Sequence, residues 1–294
     1  MNIGFVGLGM MGYPMAHRLS DAGHVVTVMD LNPDVTARFV TDHPGATAAV
    51  SRDDFIGVEI MITMLPDSNV VEATVWGTDG HDGLAAVLPR DATLIDMSSS
   101  EPLRSRRLAQ DLAEKGIRFL DAPVSGGVRR AVDGTLAIMV GGEPDVLASC
   151  KEVLDAMGKN ITHVGAAGTG HAMKALNNYV SAAALVATAE ALQLGQAFGL
   201  DPQTMVDVMN SSTAKNNTTE NKAKQFMLSR TFNSGCSLSL MAKDIGIAMG
   251  LGQAIDHPLQ LGNEVLQMWR DANEALGKGA DHTAMYRHLE STQK

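Results

Sequence analysis

The sequence predicts an α/β protein in two parts, an N-terminal doubly wound parallel sheet followed by an all-α C-terminal domain. Three observations predict it. Short β-rich runs alternate with helical stretches over about the first 160 residues, a glycine-rich turn joins the first run to the first helix, and no β-alternation follows residue 165. Strand–helix alternation at this spacing is the pattern of parallel strands whose helical crossovers cover both faces of one sheet.

The candidate strands are Ile3–Val6, Val25–Met29, Ile60–Met64, Thr93–Asp96, Arg118–Asp121 and Ala137–Gly141, with helices expected at Gly12–Ala22, Pro33–Val40 and Ser100–Lys115. The run Gly165-Ala166-Ala167-Gly168-Thr169-Gly170 then punctuates the chain, which sets the domain division at 1–164 and 165–294. From His171 to about Leu200 the chain is rich in alanine and leucine, and Gly199-Leu200-Asp201-Pro202 ends that stretch. The spacing predicts a helix of nearly 30 residues, about 40–45 Å long, serving either as a dimerisation element or as a core helix. Loops are expected near Ser211–Thr219 and Ser229–Gly235.

The bulk properties narrow the function. The chain has 294 residues, 45% of them apolar and 19% charged, which is ordinary for a globular protein. A formal charge of −10 argues against nucleic acid or an anionic membrane as partner, since no basic field recruits either. An anionic ligand must therefore be held by local devices such as helix N-termini or single lysines. Cys150 and Cys236 lie far apart without metal-ligand spacing and read as two reduced thiols. No stretch reaches the roughly 18 consecutive apolar residues of a membrane span. The N-terminus enters a strand pattern at once, so no signal peptide is expected and the chain reads as cytoplasmic.

Gly7-Leu8-Gly9-Met10-Met11-Gly12 is a G-x-G-x-x-G run that directly follows a strand and opens a helix. Gly7 permits a tight turn, Gly9 lets backbone N–H groups approach a pyrophosphate, and Gly12 lets helix and strand pack closely. The anion then meets the positive end of the helix dipole. This is the phosphate-binding turn of a Rossmann fold. Asp30 closes the second strand, 23 residues after Gly7, where a carboxylate accepts hydrogen bonds from ribose hydroxyls and repels a 2′-phosphate. With no arginine following closely, the expected cofactor is NAD. A solvated strand end is the alternative for Asp30.

Leu65 and Pro66 end the third strand at the carboxyl edge, where ligands of doubly wound sheets bind. The same edge carries Asp96-Met97-Ser98-Ser99-Ser100 and Asp121-Ala122-Pro123-Val124-Ser125-Gly126-Gly127. These read equally well as ligand-facing hydroxyls and amides or as plain strand-to-helix turns, with Ser98 or Ser100 as an N-cap.

His171, Lys174 and Asn178 are spaced i, i+3, i+7 and share one helical face. A solvated stripe is the bland reading, and His171 itself reads as an exposed helix-start histidine. Oxidation of a secondary or primary alcohol without a metal needs a base for the hydroxyl proton, and reduction needs an acid for the forming alkoxide. A lysine does both when burial and a neighbouring nicotinamide cation bring its pKa toward the operating pH. No histidine–carboxylate pair or metal-ligand cluster in the sequence competes for that role.

These residues carry a resemblance to a known family. Gly7 through Ala16, Asp121 through Gly127, Gly168-Thr169-Gly170 through Lys174 to Asn177-Asn178, and Lys243-Asp244 occur in order, with Gly134-Thr135-Leu136 and Met139-Val140-Gly141-Gly142 between them. The chain resembles the β-hydroxyacid dehydrogenases, the family of 3-hydroxyisobutyrate dehydrogenase and tartronate semialdehyde reductase. The resemblance implies an N-terminal Rossmann domain, a long interdomain helix and an all-α domain that builds a homodimer or homotetramer. It implies a small carboxylate substrate, with Lys174 as general acid/base, Asn178 binding substrate, and Ser125, Gly126 and Gly127 holding the carboxylate. Ser99 would sit near the nicotinamide, Lys243 against the cofactor, and Asp244 in support of that region. Arg18, Ser99, Cys236 and Ser239 depart from the usual asparagine, threonine, phenylalanine and aspartate. The last two precede Lys243 in a segment expected to close the cleft, so they bear on substrate and not on chemistry. Imine reductases share the predicted fold but usually lack the lysine, and a non-catalytic NAD-binding protein would not need Lys174 and Asn178 together.

Overall fold

The computed structural model describes residues 1–78, 80–277 and 279–292. They form two compact units, Met1–Lys174 and a second beginning at Ala175. The first unit runs β1 (Asn2–Val6), α1 (Gly12–Asp21), β2 (Val25–Met29), α2 (Pro33–Asp42), β3 (Thr47–Ala48), β4 (Ile60–Thr63) and α3 (Ser68–Trp76). It continues through a short ladder of β5 (Gly77–Thr78) and β6 (His81–Asp82), then β7 (Thr93–Asp96), α4 (Pro102–Glu114) and β8 (Arg118–Asp121). β9 (Val124–Ser125), α5 (Gly127–Val132), β10 (Leu136–Gly141), α6 (Pro144–Met157) and β11 (Gly158–Gly165) complete it.

The main sheet is ordered β11-β10-β8-β7-β4-β1-β2-β3, with β9 pairing β10. β1 pairs in parallel with β2 on one side and β4 on the other, so the strand order reverses at β1/β4. That is the topological switch point, where ligands of such sheets bind beyond the carboxyl ends of the strands. All four residues of β4 and of β7 are buried, as a sheet covered on both faces requires. Ile3, Phe5, Ile62, Met15, Leu19, Val26 and Leu120 lie in one apolar cluster between sheet and helices.

Two features depart from the sequence expectation. β10 runs antiparallel to β8 and β9, so the sheet is parallel only from β3 through β8 and is mixed beyond it. β11 was not expected at all. Its residues are mostly exposed or half-buried, and it pairs in parallel with β10 across two register irregularities. An edge strand held by backbone bonding needs little apolar alternation, so Lys159-Asn160-Ile161-Thr162-His163 carries no clear strand signature.

The second unit is helical. α7 (Thr169–Phe198, 30 residues) begins in the first unit and continues into the second. α8 (Pro202–Asn210), α9 (Asn217–Asn221), a π-helical turn at Ala223–Leu228, α10 (Leu238–Ala254), α11 (Gly262–Leu276) and α12 (Met285–Thr292) follow. Ala182 and Ala189 lie seven residues apart on one face of α7, and both are fully buried with Leu185 and Leu192. Val206, Met227, Ile245, Trp269 and Tyr286 join them in one core. Asp201 caps α8 by accepting the Thr204 N–H at 2.8 Å, with Pro202 in its first turn. Among the described residues the unit has no strand, only an isolated bridge between Ser237 and Asp281. No described helix is long and apolar enough to cross a membrane.

Candidate active site

The glycine-rich turn leaves β1 at the switch point. Gly7 has a φ of +97°, and a Cβ there would strike the Met64 carbonyl oxygen, so only glycine fits between the ends of β1 and β4. A Cβ on Gly12 would strike the Gly7 carbonyl, which holds α1 close under the turn. Gly9 faces open space, with nothing within 4 Å of where its Cβ would lie. Met11, the N-cap of α1, makes no side-chain capping bond, the Tyr13 N–H donates to the Gly9 carbonyl at 3.0 Å and Pro14 has no N–H, which leaves the Gly12 N–H at the helix start for an incoming anion. Met10 stands exposed beside it, while Leu8 is buried.

Asp30 follows β2 directly. Its Oδ2 accepts the Leu8 N–H at 2.6 Å and its Oδ1 the Asn32 N–H at 2.9 Å, so the carboxylate braces the turn and keeps lone pairs for further donors. The open face at Gly9, the uncapped helix start and the braced carboxylate fit the pyrophosphate and ribose of a dinucleotide.

The rest of the carboxyl edge forms a buried polar network. Asp96 and Asp121 end adjacent strands in direct register. Asp96 accepts from Thr63 Oγ1 at 2.9 Å, Ser98 N at 3.1 Å and Ser100 Oγ at 2.7 Å. Ser98 Oγ in turn accepts the Leu65 N–H at 2.9 Å, tying the Leu65-Pro66 segment to this strand end. Asp121 accepts the N–H of Gly168 at 2.7 Å and of His171 at 2.8 Å, binding the first turn of α7 to the end of β8. Burial pushes the Asp121 carboxyl above the usual range, against the lowering effects of His171 and these two N–H groups.

His171 corrects the sequence reading. It is 1% exposed, not a solvated helix-start residue. Its Nε2 donates to the Ser98 carbonyl at 3.1 Å, its Nδ1 meets Ser105 Oγ at 2.7 Å, and both carboxylates lie 3.8 Å from the ring. A histidine–carboxylate cluster therefore does exist, contrary to expectation, but it is sealed in the interior and braces the site. Ser98 and Ser100 do not cap α4; Glu101 is its N-cap, without a side-chain bond. The signal that sequence reasoning missed was an aspartate closing two successive strands.

One turn beyond His171, Lys174 is half-buried, and its Nζ donates to the Val124 carbonyl at 2.7 Å. That carbonyl immediately precedes Ser125, Gly126 and Gly127. Gly126 and Gly127 both have positive φ, +133° and +69°, and both are exposed, so a bare backbone stretch with a serine hydroxyl lies beside the amine. Ser99, half-buried, follows the Asp96 network on the neighbouring strand end. In the second unit, Asn178 donates to Asp244 Oδ2 at 2.6 Å, and Lys243 Nζ lies 3.8 Å from Asp244 Oδ1. Asp244 is 1% exposed, so the bond to Asn178 is made by a buried carboxylate. Asn178 follows Lys174 by four residues on one face of α7.

The polar stretch from Ser211 to Thr219 is partly a helix start. Asn216 caps α9 in a reciprocal capping box with Thr219, Lys215 pairs with Glu220 at 2.9 Å, and Asn217 accepts from Asn221 at 3.0 Å.

The fold and the turn define a dinucleotide-binding oxidoreductase. Residues 2–165 match the NAD-binding domain family of 6-phosphogluconate dehydrogenase, and residues 168–289 match the NAD-binding family of NADP-dependent 3-hydroxyisobutyrate dehydrogenase. The chain is 39% identical to a 3-hydroxyisobutyrate dehydrogenase of Pseudomonas aeruginosa, over 89% of this chain and 88% of that one. It is 36% identical to an NAD-dependent L-serine dehydrogenase of the same organism, covering 91% of each. A solved structure of Mycobacterium tuberculosis 3-hydroxyisobutyrate dehydrogenase with L-serine superposes with a TM-score of 0.90 at 33% identity, covering 98% of both chains. The chain belongs to the β-hydroxyacid dehydrogenase family. It is an oxidoreductase that moves a hydride between a nicotinamide cofactor and the hydroxyl-bearing carbon of a small hydroxy acid.

Proposed function

We propose that the substrate is a 3-hydroxyisobutyrate-like β-hydroxy acid, that the product is its semialdehyde, and that Lys174 carries the proton. The observation that supports this reading most is the Lys174 Nζ seated 2.7 Å from the Val124 carbonyl, beside Ser125-Gly126-Gly127. There the Ser125 hydroxyl and the following amides bind the substrate carboxylate, since convergent donors suit an anion. With the carboxylate held, the β-hydroxyl reaches the amine, and Lys174 takes the hydroxyl proton as the carbinol hydrogen departs. Asn178, held by Asp244, orients the substrate hydroxyl. The bound dinucleotide supplies the hydride acceptor.

For the cofactor, Gly7, Leu8, Gly9, Met10, Met11 and Gly12 cradle the pyrophosphate and Asp30 takes the ribose hydroxyls. Leu65, Pro66, Ser99 and Lys243 line its nicotinamide end. NAD is preferred over NADP because Asp30 repels a 2′-phosphate. Residues 1–164 form the cofactor domain and 165–294 the substrate and dimerisation domain, in a cytoplasmic homodimer or homotetramer.

A second reading, a polyhydroxy- or amino-acid substrate such as serine or glycerate, is favoured by the L-serine relatives. NADH formation with 3-hydroxyisobutyrate, L-serine, glycerate and threonate, run in parallel with NADP, tests both readings. The highest kcat/KM is expected for 3-hydroxyisobutyrate with NAD; a preference for serine shifts the assignment to the second reading. Equal rates with NADP remove the role given to Asp30.

A further inference from the structure

A group of side chains lies outside this site, on the outer face of the first unit, where α1 meets the end of α2. His17 and Asp21 stand one turn apart on α1, and His43 is the C-cap residue of α2. One ligand atom from each falls within 4.8 Å of the others. His17 and Asp21 are partly exposed, with side chains 44% and 45% accessible, while His43 is 9% exposed. Solvent therefore reaches the group from one side.

The hydrogen bonding fixes which atoms are free to ligate. His43 Nδ1 lies 2.9 Å from the Phe39 carbonyl, which only accepts, so Nδ1 carries the hydrogen and Nε2 the lone pair. Phe39 also stacks on the His43 ring at 4.4 Å between centroids, which holds its orientation. An imidazole whose second nitrogen donates to a backbone carbonyl is the usual arrangement of a metal-bound histidine. The His43 Nε2 lone pair points at His17 Nδ1, with which it is in hydrogen-bonding contact. His17 Nε2 meanwhile faces Asp21 at 3.4 Å. Both neighbours of His17 are acceptors, and a neutral imidazole has one N–H to offer them. A divalent cation that takes lone pairs from both rings and from the carboxylate satisfies all three at once.

We propose that His17, His43 and Asp21 form a binding site for a divalent transition metal, best suited to Zn²⁺. Two imidazole nitrogens and one carboxylate oxygen match the ligand preference of zinc, with solvent in the fourth position. Arg18, 3.6 Å from Asp21, is the charge opposing this, and it must yield that carboxylate to the metal. Because α1 starts at the phosphate-binding turn and α2 follows Asp30, the ion would staple together the two helices behind the cofactor-binding segments. Its role is structural, and the site stands whether or not the substrate assignment above is correct.

The test uses tag-free full-length protein, stripped with a chelator and titrated with Zn²⁺ by calorimetry, with Co²⁺ absorption as a second probe. One Zn²⁺ per chain with micromolar or tighter affinity, a tetrahedral Co²⁺ spectrum and a melting temperature raised by zinc are expected. His43→Gln and the exposed-site variant Asp21→Asn should each weaken Zn²⁺ binding by roughly 10–100-fold or more. Asp21→Asn separates lost ligation from lost folding, because it replaces a solvent-accessible side chain. No saturable binding by the parent protein overturns the proposal, as does unchanged affinity in both variants.

Discussion

Asp30 uses each carboxylate oxygen to accept a backbone N–H, one from Leu8 in the turn and one from Asn32. Asp30→Ala should therefore weaken NAD by about 10–100-fold, the worth of one or two charge-assisted bonds. It should also raise the ratio of NADP to NAD turnover, both read from steady-state kinetics. Asp121 acts on the other side of the site, accepting two N–H groups from the first turn of α7. Asp121→Asn replaces one acceptor oxygen by a donor and leaves a buried N–H unpaired, a cost of about 1–3 kcal/mol in urea unfolding. Because Lys174 follows in the next turn, kcat should fall while NADH affinity measured by fluorescence is kept. A role confined to stability would lower the melting temperature and leave kcat of the folded protein alone. The residues legible in the sequence are those whose signal is local. Gly7, Gly9, Gly12 and Asp30 sit at fixed offsets from one strand and one helix. The burial of His171 is not legible locally, because it depends on two carboxylates brought together by the register of β7 and β8.

The strongest elements were predictable because burial repeats along them. β1 and β4 are largely apolar buried runs, and α7 buries Ala175, Ala182, Leu185, Ala189 and Leu192 along one face. β11 carries no such signal, since its place is set by backbone pairing to β10 rather than by side-chain pattern. The seat of α1 gives a direct prediction. Gly12→Ala forces a methyl into the Gly7 carbonyl, so α1 must shift outward and draw the glycine-rich turn with it. NAD binding should drop by at least tenfold and the melting temperature should fall. The start of α9 is a different case. Lys215 and Asn217 bond within their own segment, so Lys215→Ala with Asn217→Ala should leave NAD affinity unchanged. A changed preference among hydroxy acids in that double variant would assign this segment to substrate selection.

For the molecule as a whole, acid is the predicted weakness. His282 is held down to about 3, by burial first and then by Lys222, with Asp281 opposing. Protons therefore bind the unfolded chain in preference, and stability is lost as the pH falls from about 6.5 toward 3. One such group costs about 1.4 kcal/mol per pH unit across that window. Asp281, whose own pKa is lowered chiefly by bonds from Thr283, Ser234 and Gly235 against burial, adds to the loss at the acid end. His282→Gln should flatten the decline between pH 6.5 and 4.5 in urea unfolding; an equally steep decline would place the sensitivity elsewhere. The division into a sheet-based first unit and a helical second one was readable because the hydrophobic period changes near residue 165. The long-range bracing at Asp96, Asp121 and Asp244 was not, because three-dimensional pairing and not spacing selects those partners.

The proposed chemistry depends on the amine of Lys174, and Lys174→Ala measured by pre-steady-state NADH formation tests that dependence most directly. The variant should bind NADH like the parent while hydride transfer slows by about 10²–10⁴-fold, the usual worth of a positioned acid/base. A variant that transfers hydride at the parental rate would contradict the mechanism.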